Sequence, residues 1–379
     1  MFYWLVALTS TFLIQVGNIY LSNIIFVVWI IVRFFMGKEK YSLDRENVKI
    51  FIFYLMWVLL STVVFSLQYV HFEVRNFVQF VYNLQYIILI ADGTIDKNRL
   101  KHAMYVSSYL LAVTIIVLWV TVTGMMSITA LMIHYRLWAS EYIGGWPNST
   151  VLPLLFGVYL EMTHIMRDRN TLGLARLVVL LFALLLCTSR TGYIGAAMII
   201  GYFFLSDREG SGAGQKLVRY MAVMSAIAVI VYSLASMVMA DANMRGRMFM
   251  VGDRLDIFTD MFAYISNRPL LGYGGNSVDV IYQLVGPTES GINWGHTHNT
   301  VLELLIRHGI VGAAAFILLM IKVSGRIINK EDKVMYWILW TLSLFQIFYK
   351  EFEFLLMLYL LVPAADTESQ EMTEEPEYA

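Results

Sequence analysis

Residues 220–240 read YMAVMSAIAVIVYSLASMVMA, and residues 106–122 read VSSYLLAVTIIVLWVTV. Neither run holds a Lys, Arg, Asp or Glu. A helix rises about 1.5 Å per residue, so each run is near the length that crosses a hydrocarbon core of roughly 30 Å. Similar runs recur along all 379 residues, which makes the apolar character a property of the whole body. The composition agrees: 59% of the chain is hydrophobic and 15% charged, against about 25% charged in soluble domains. The sequence therefore predicts an all-α polytopic membrane protein.

Working outward from these runs gives about twelve spans: 2–16, 19–36, 50–66, 76–91, 103–124, 149–166, 175–189, 191–206, 219–240, 298–322, 334–349 and 351–364. The first and last pairs have very short connections, at Gly17-Asn18 and Lys350-Glu351. Basic residues test the layout. The connections 33–49, 91–101, 166–176, 206–219 and 322–333 together hold 18 of the 27 Lys and Arg residues, and they alternate along the chain. Positive charge accumulates on the cytoplasmic side, so this pattern predicts both termini inside. No basic n-region precedes the first apolar stretch, Met-Phe-Tyr-Trp, which reads as a retained helix and not a cleaved signal.

The chain thus divides into one integral membrane domain, 1–365, and a tail, 366–379, with six acids and no base, which reads as disordered and cytoplasmic. One large extracytoplasmic loop, 241–297, lies between helices 9 and 10. Within it, Asp253 is placed to cap a helix running to about Ile265, with Leu255, Phe258, Met261, Phe262 and Ile265 on one face. Asn267-Arg268-Pro269 ends that helix, residues 271–276 are turn-rich, a second short helix runs to Val285, and 287–295 is loop. The lone Cys187 sits in an apolar run and reads as a small buried residue. The net charge of −1 singles out no partner, and nucleic acid is not expected.

Ionisable groups at membrane depth are costly and mark functional positions. Arg190, in Thr188-Ser189-Arg190-Thr191-Gly192, sits at the outer turn between helices seven and eight. A guanidinium with hydroxyls beside it suits a phosphate or diphosphate, because it stays charged and donates two parallel hydrogen bonds. The alternative is an interfacial arginine snorkelling to headgroups. His296 and His298, in Gly295-His296-Thr297-His298-Asn299, fall at the outer end of helix ten. Histidine titrates near neutral pH and is a natural general base; the alternative is a pair of interfacial polar residues. Glu303 and Arg307 are four apart and placed to pair, with a bend near Gly309. The loop arginines Arg245, Arg247, Arg254 and Arg268 are accompanied by six acids, so any anion site there is local. Arg254 stands out because it opens a predicted helix. Trp138, Trp146 and Trp294 are placed to stack on sugars or to sit in the interfacial belt. No ligand set at metal spacing accompanies the His-x-His pair, so neither a metal nor a cofactor is expected.

Three motifs occur in order: Cys187-Thr-Ser-Arg190-Thr-Gly-Tyr, Gly252-Asp-Arg254 through Asn267-Arg-Pro-Leu-Leu-Gly272-Tyr-Gly274, and His298-Asn299 with Gly309 and Gly312 downstream. Together they resemble the O-antigen ligase and O-antigen polymerase superfamily of bacterial envelope enzymes. The resemblance implies a metal-independent glycosyltransferase of the bacterial inner membrane with its site facing the periplasm. Its donor would be a glycan on undecaprenyl diphosphate. By the same resemblance Arg190 and Arg254 hold the diphosphate and His298 takes the acceptor proton. His296 leaves the base open between two histidines. Asn299, His296, Arg247 and Trp294 complete the expected substrate contacts.

The leading expectation is a surface polysaccharide polymerase, O-antigen or exopolysaccharide, that moves a chain onto the sugar hydroxyl of a lipid-linked repeat unit. The alternative is a ligase acting on lipid A–core. Partners are then the lipid-linked glycan, the bilayer and, as a candidate, a chain-length regulator. A flippase or transporter ranks behind both, because it calls for repeats and charges near the bilayer midplane, whereas the polar residues here gather at outer helix ends.

Overall fold

The computed structural model describes residues 2–16, 19–25, 27–28, 42–43, 45–71, 80, 83–92, 96–126, 147–168, 171–206, 251–288, 291, 293, 295, 297–348 and 351–363. Of Arg190 and residues 251–256 it describes the backbone alone. Among these residues the fold is helical: α1 (Phe2–Thr11), α2 (Arg45–Tyr69), α3 (Lys97–Thr121), α4 (Pro147–Asp168), α5 (Thr171–Leu186), α6 (Arg190–Leu205), α7 (Val251–Asn267), α8 (Val278–Val285), α9 (Thr300–Gly325), α10 (Lys330–Leu342) and α11 (Phe352–Leu361). The only extended pairings among them are two-residue ones.

Helices α2, α3 and α9 are long and apolar enough to cross a membrane. Their outward faces are apolar too: Ile52, Phe53, Met56, Leu59, Leu60, Val63 and Leu67 on α2, and Leu110, Val113 and Val117 on α3, are exposed. In water such a surface would demand a partner; against lipid tails it is the ordinary exterior. The centre is occupied by α11, buried along its whole length, and by α4, buried from Thr150 to Thr163. A helix that is apolar all round belongs in such a place. Around them α9 packs on α2, α3 on α1, α4 and α5, and α10 on α6 and α11.

The alternation of basic connections is visible as contacts at one end of the bundle. Ser42–Leu43 pairs antiparallel with Ala91–Asp92, which joins the connections 33–49 and 91–101. Asp96 caps α3 by accepting from Arg99 N at 3.0 Å. Lys97 Nζ donates to Val362 O at 2.7 Å, and Arg326 donates to Leu89 O at 3.0 Å. Lys101 meets Asp332 at 3.0 Å, Arg167 meets Glu331 at 3.6 Å and Arg176 meets Glu161 at 3.2 Å. The start of α1 is there as well, with Tyr3 Oη 3.2 Å from Asp96 N. Four of the five basic connections therefore share one end, called the basic end below. The fifth, 206–219, lies outside the described residues beyond Ser206.

The structure corrects several boundaries. The first predicted helix, 2–16, ends at Thr11; Gln15–Val16 then pairs antiparallel with Ile19–Tyr20. Ten residues cover about 15 Å, half a hydrocarbon core. The Gly17-Asn18 signal, a two-residue hairpin dipeptide, outweighs the apolar run. The predicted helix 76–91 is, in its described part, a 3₁₀ segment at Gln85–Leu89. The predicted helix 334–349 ends at Leu342, because the carbonyls of Ser343 and Leu344 are taken by the start of α9. The span 219–240, the tail 366–379 and most of 19–36 lie outside the described residues.

Candidate active site

The opposite end of the bundle is organised by a break in α9. At Gly309 the backbone adopts φ 63°, ψ −175°, a combination that is essentially glycine-only. An unbroken helix would bond Ile310 N to Ile306 O. Here Ile310 N donates to Pro269 O at 2.7 Å, and Ile306 O accepts from Tyr273 N at 2.8 Å. One intrahelical bond is thus replaced by two bonds to the segment 269–275, which lies across the break as a strap. A third freed group, His308 O, accepts from Trp57 Nε1 on α2 at 2.9 Å. Broken helices at membrane depth survive when neighbouring groups satisfy the freed backbone in this way.

The strap fits because it is nearly bare backbone. A Cβ on Gly272 (φ +65°) would lie 2.5 Å from Ile306 O, and one on Gly309 would lie 2.0 Å from Leu270 O. The expected bend near Gly309 is therefore present, and its cause is the Pro-Leu-Leu-Gly-Tyr-Gly stretch. The sequence could not reveal that the two motifs, some thirty residues apart, are the two halves of one contact.

A buried polar chain runs beside the break. Arg307 Nε donates to Glu303 Oε1 at 2.6 Å, with both side chains almost fully buried. Arg307 also donates to Gly275 O at 2.7 Å, and Gly275 N donates to Thr62 Oγ1 at 3.0 Å. Thr297 Oγ1 lies 3.1 Å from Glu303 Oε2. The pair predicted from i,i+4 spacing exists, and it ties the start of α9 through α2 to the strap. It carries no net charge, which is the condition for tolerating ions at this depth.

His298 stands directly before α9, half-buried, with φ 51°. A positive φ on a non-glycine residue is uncommon and often found at working sites. Asn299 caps α9 by accepting from Leu302 N at 3.0 Å, and its Nδ2 donates to Leu344 O at 2.9 Å. Both polar atoms of this residue, expected to bind substrate, are thus engaged by protein. Thr300 N donates to Ser343 O at 2.9 Å. The His298 turn is therefore pinned to the segment following α10.

Arg190 is the first residue of α6. The turn before it is held by Ser189, whose hydroxyl accepts from Gly192 N at 3.4 Å, and by Tyr193, whose hydroxyl donates to Leu185 O at 2.9 Å. Leu342, at the end of α10, packs against the Gly195 position of α6, so α10 links the Arg190 turn to the end that carries His298. In the loop, α7 runs from Val251 to Asn267, so Asp253 lies inside the helix and not at its cap. The buried face is Ile257, Asp260, Met261, Tyr264 and Ile265; Phe262, expected to be inside, is exposed. The helix is buried by α8, α9, the strap and the top of α2, and Met261 has the lowest exposure on that face, at zero. Burial pushes the Tyr273 phenol up to about 12, leaving it a neutral donor to Tyr264 O at 3.0 Å. Arg247, His296, Trp294, Trp138 and Trp146 lie outside the described residues, as do the side chains of Arg190 and Arg254. Sequence reasoning missed Thr62, Trp57 and His308, for which no motif or spacing connects α2 to α9, and it gave Arg268 no distinct role.

Residues 175–317 match the family model described as O-antigen ligase. No curated protein matches the chain. The matched stretch begins in α5, takes in Arg190, Arg254, the strap and His298, and ends beyond the Gly309 break. Over residues 175–317 this membrane protein is similar to the O-antigen ligase family.

Proposed function

We propose that this protein is a surface polysaccharide polymerase that transfers a glycan chain from undecaprenyl diphosphate to a sugar hydroxyl of a lipid-linked repeat unit. The observation that carries the reading is the coincidence of the family match with the motifs that meet at the α9 break. The basic end is the cytoplasmic end under the positive-inside rule. The break, the strap and the His298 turn then face the periplasm, where both termini are not.

In this reading Arg190 and Arg254 hold the donor diphosphate. As the bond from the sugar to the diphosphate breaks, negative charge grows on the departing oxygen, and fixed guanidinium groups stabilise it. His298 accepts the proton of the attacking hydroxyl, with His296 as the second candidate base. Asn299 sets the start of α9 and hence the position of His298, while Arg247 and Trp294 contact the substrate. No metal takes part. The similarity to the O-antigen ligase family favours a second reading, a ligase that delivers the chain to lipid A–core. Both use the same donor and leaving group.

The test is complementation of a null strain with Arg190→Ala, Arg254→Ala and His298→Ala at matched protein level, with the surface glycan read by gel. Loss of polymer in all three supports the transferase site. Acceptors bearing a single repeat then identify a polymerase, and bare acceptors a ligase. Normal polymer from all three variants rejects the assignment.

A further inference from the structure

The segment that leads from α7 into the strap holds a guanidinium in an aromatic cage. The Arg268 guanidinium carbon lies 5.4 Å from the Phe65 ring centroid, 5.5 Å from Tyr69 and 5.4 Å from Tyr273. Phe65 and Tyr69 are four apart on the last turns of α2 and so share a face; Tyr273 belongs to the strap. The backbone is fixed on both sides, with Arg268 N donating to Ile265 O and Gly272 N to Arg268 O, each at 3.1 Å. Rings that attract the cation through their faces leave the in-plane N–H donors pointing outward. Among the described residues those donors meet no hydrogen-bonding or ionic partner.

The surroundings indicate what such donors meet. Leu67 on α2, Phe262 on α7 and Leu270 in the strap are 64%, 56% and 61% exposed. They belong to the three segments that build or flank the cage, with Leu270 two residues from Arg268, and they give that end of the bundle, away from the basic end, an exposed apolar surface. A half-exposed, planar, permanently charged fork beside an apolar surface matches an amphiphile with an anionic head. We infer that Arg268 binds the phosphate of a membrane lipid, by two charge-assisted hydrogen bonds, while the lipid's chain lies along Leu67, Phe262 and Leu270. Arg268 lies fourteen residues beyond Arg254 along α7, roughly 20 Å at 1.5 Å per residue. Its phosphate is therefore a different one from that assigned to Arg254. The lipid is either the diphosphate-bearing polyprenyl carrier or an anionic phospholipid of the bilayer; the chemistry recognised is the same.

The experiment measures binding to the purified full-length chain in detergent, without turnover, so that it stands or falls apart from the transferase reading. The probes are undecaprenyl diphosphate and phosphatidylglycerol, with diacylglycerol as the phosphate-free control. Arg268→Gln is expected to weaken binding of a phosphate probe about tenfold or more, as loss of charge-assisted bonds requires. Arg268→Lys keeps the charge but not the planar fork and falls in between. Weakening for undecaprenyl diphosphate alone identifies the carrier; equal weakening for both probes identifies headgroup phosphate in general. Binding of both probes by Arg268→Gln within twofold of the unaltered chain overturns the proposal. Should that variant fail to fold, Arg268→Lys and Tyr69→Leu decide the matter, because both retain a cation while removing the fork or its cage; binding within twofold in both overturns the proposal equally.

Discussion

Replacing Gly309 by alanine tests the argument that the break in α9 is imposed by the strap. The added methyl would lie 2.0 Å from Leu270 O and 2.3 Å from Leu270 C. These are backbone atoms, so no rotamer change relieves the contact. Either the strap moves or residue 309 leaves its conformation. If the strap moves, the bonds Ile310 N to Pro269 O and Tyr273 N to Ile306 O are lost. Each buried group left unpaired costs about 1–3 kcal/mol, and the glycine-only conformation adds about 1–3 kcal/mol for a side chain. With one unpaired group counted for each lost bond the total, about 3–9 kcal/mol, is comparable with the whole stability of many proteins, about 5–15 kcal/mol. If instead residue 309 turns helical, Ile310 N recovers Ile306 O, the helix straightens, and the strap detaches along with the Arg307–Gly275 bond. The assay is membrane accumulation by immunoblot, melting of the purified protein, and the surface glycan of a complemented null strain. Gly201→Ala is the control, since nothing lies within 4 Å of its Cβ position; it should be neutral or stabilising by about 0.5–1 kcal/mol. A Gly309→Ala protein that accumulates, melts and complements like the unaltered chain refutes the reasoning.

Three further outcomes follow from the same contacts. Glu303→Gln or Arg307→Met alone should destabilise by about 3–5 kcal/mol, because each leaves a buried charge unpaired; the double variant should melt closer to the unaltered protein than either single one, and a simple sum of the two losses would contradict this account. Glu353 is fully buried with no hydrogen-bond partner for either oxygen among the described residues, so Glu353→Gln should melt at the same temperature or higher, and a large loss of Tm would show an interaction with residues outside them. Asp332→Asn removes the partner of Lys101 and Tyr159 at the basic end and should lower stability by about 1–2 kcal/mol while leaving the chain-length pattern of the glycan unchanged on gels.

Much of this was legible in the sequence, for identifiable reasons. Apolar runs fix helices where nothing competes, and α2, α3 and α9 contain the predicted spans 50–66, 103–124 and 298–322 apart from their edges. Charge counts sorted the connections correctly because ions sit where water or counter-ions are, and four of the five basic connections do converge. The i,i+4 spacing of Glu303 and Arg307 is a local signal and sufficed. Three of the failures are nonlocal. Nothing within 334–349 announces that Thr300 and Asn299 will claim the carbonyls of Ser343 and Leu344 and end α10 early. Phe262 has the spacing of a core residue, yet the partner surface of α8, α9, α2 and the strap packs on Met261 and Tyr264. Arg268 looked like one solvated arginine among four, because two of the three rings of its cage, Phe65 and Tyr69, come from about two hundred positions away.

The two ends of the bundle are built by different physics, and the difference bears on where a reaction can occur. At the basic end, side chains close the structure: Lys101, Tyr159 and Asp332, Arg167 with Glu331, and Arg176 with Glu161 and the hydroxyls of Tyr105 and Tyr109 form ion pairs and hydrogen bonds that join four helices. Charged groups consumed in that way cannot also bind an anionic substrate. At the opposite end every one of the joints uses a backbone group: Pro269 O, Ile306 O, Gly275 N and O, Ser343 O and Leu344 O carry the hydrogen bonds, with Thr62, Arg307 and Asn299 as the side chains engaged. Where both partners are backbone, as in Ile310 N to Pro269 O, Tyr273 N to Ile306 O and Thr300 N to Ser343 O, no side chain is consumed. The proposed transferase site, which would hold a diphosphate and a polar acceptor, therefore fits the opposite end. Variants should separate: those in the ion pairs of the basic end should lower protein level and polymer in proportion, and those at the proposed site residues Arg190, Arg254 and His298 should lower polymer at constant protein level. If Lys101→Ala abolished polymer while the protein remained at its normal level and melting temperature, this division would fail.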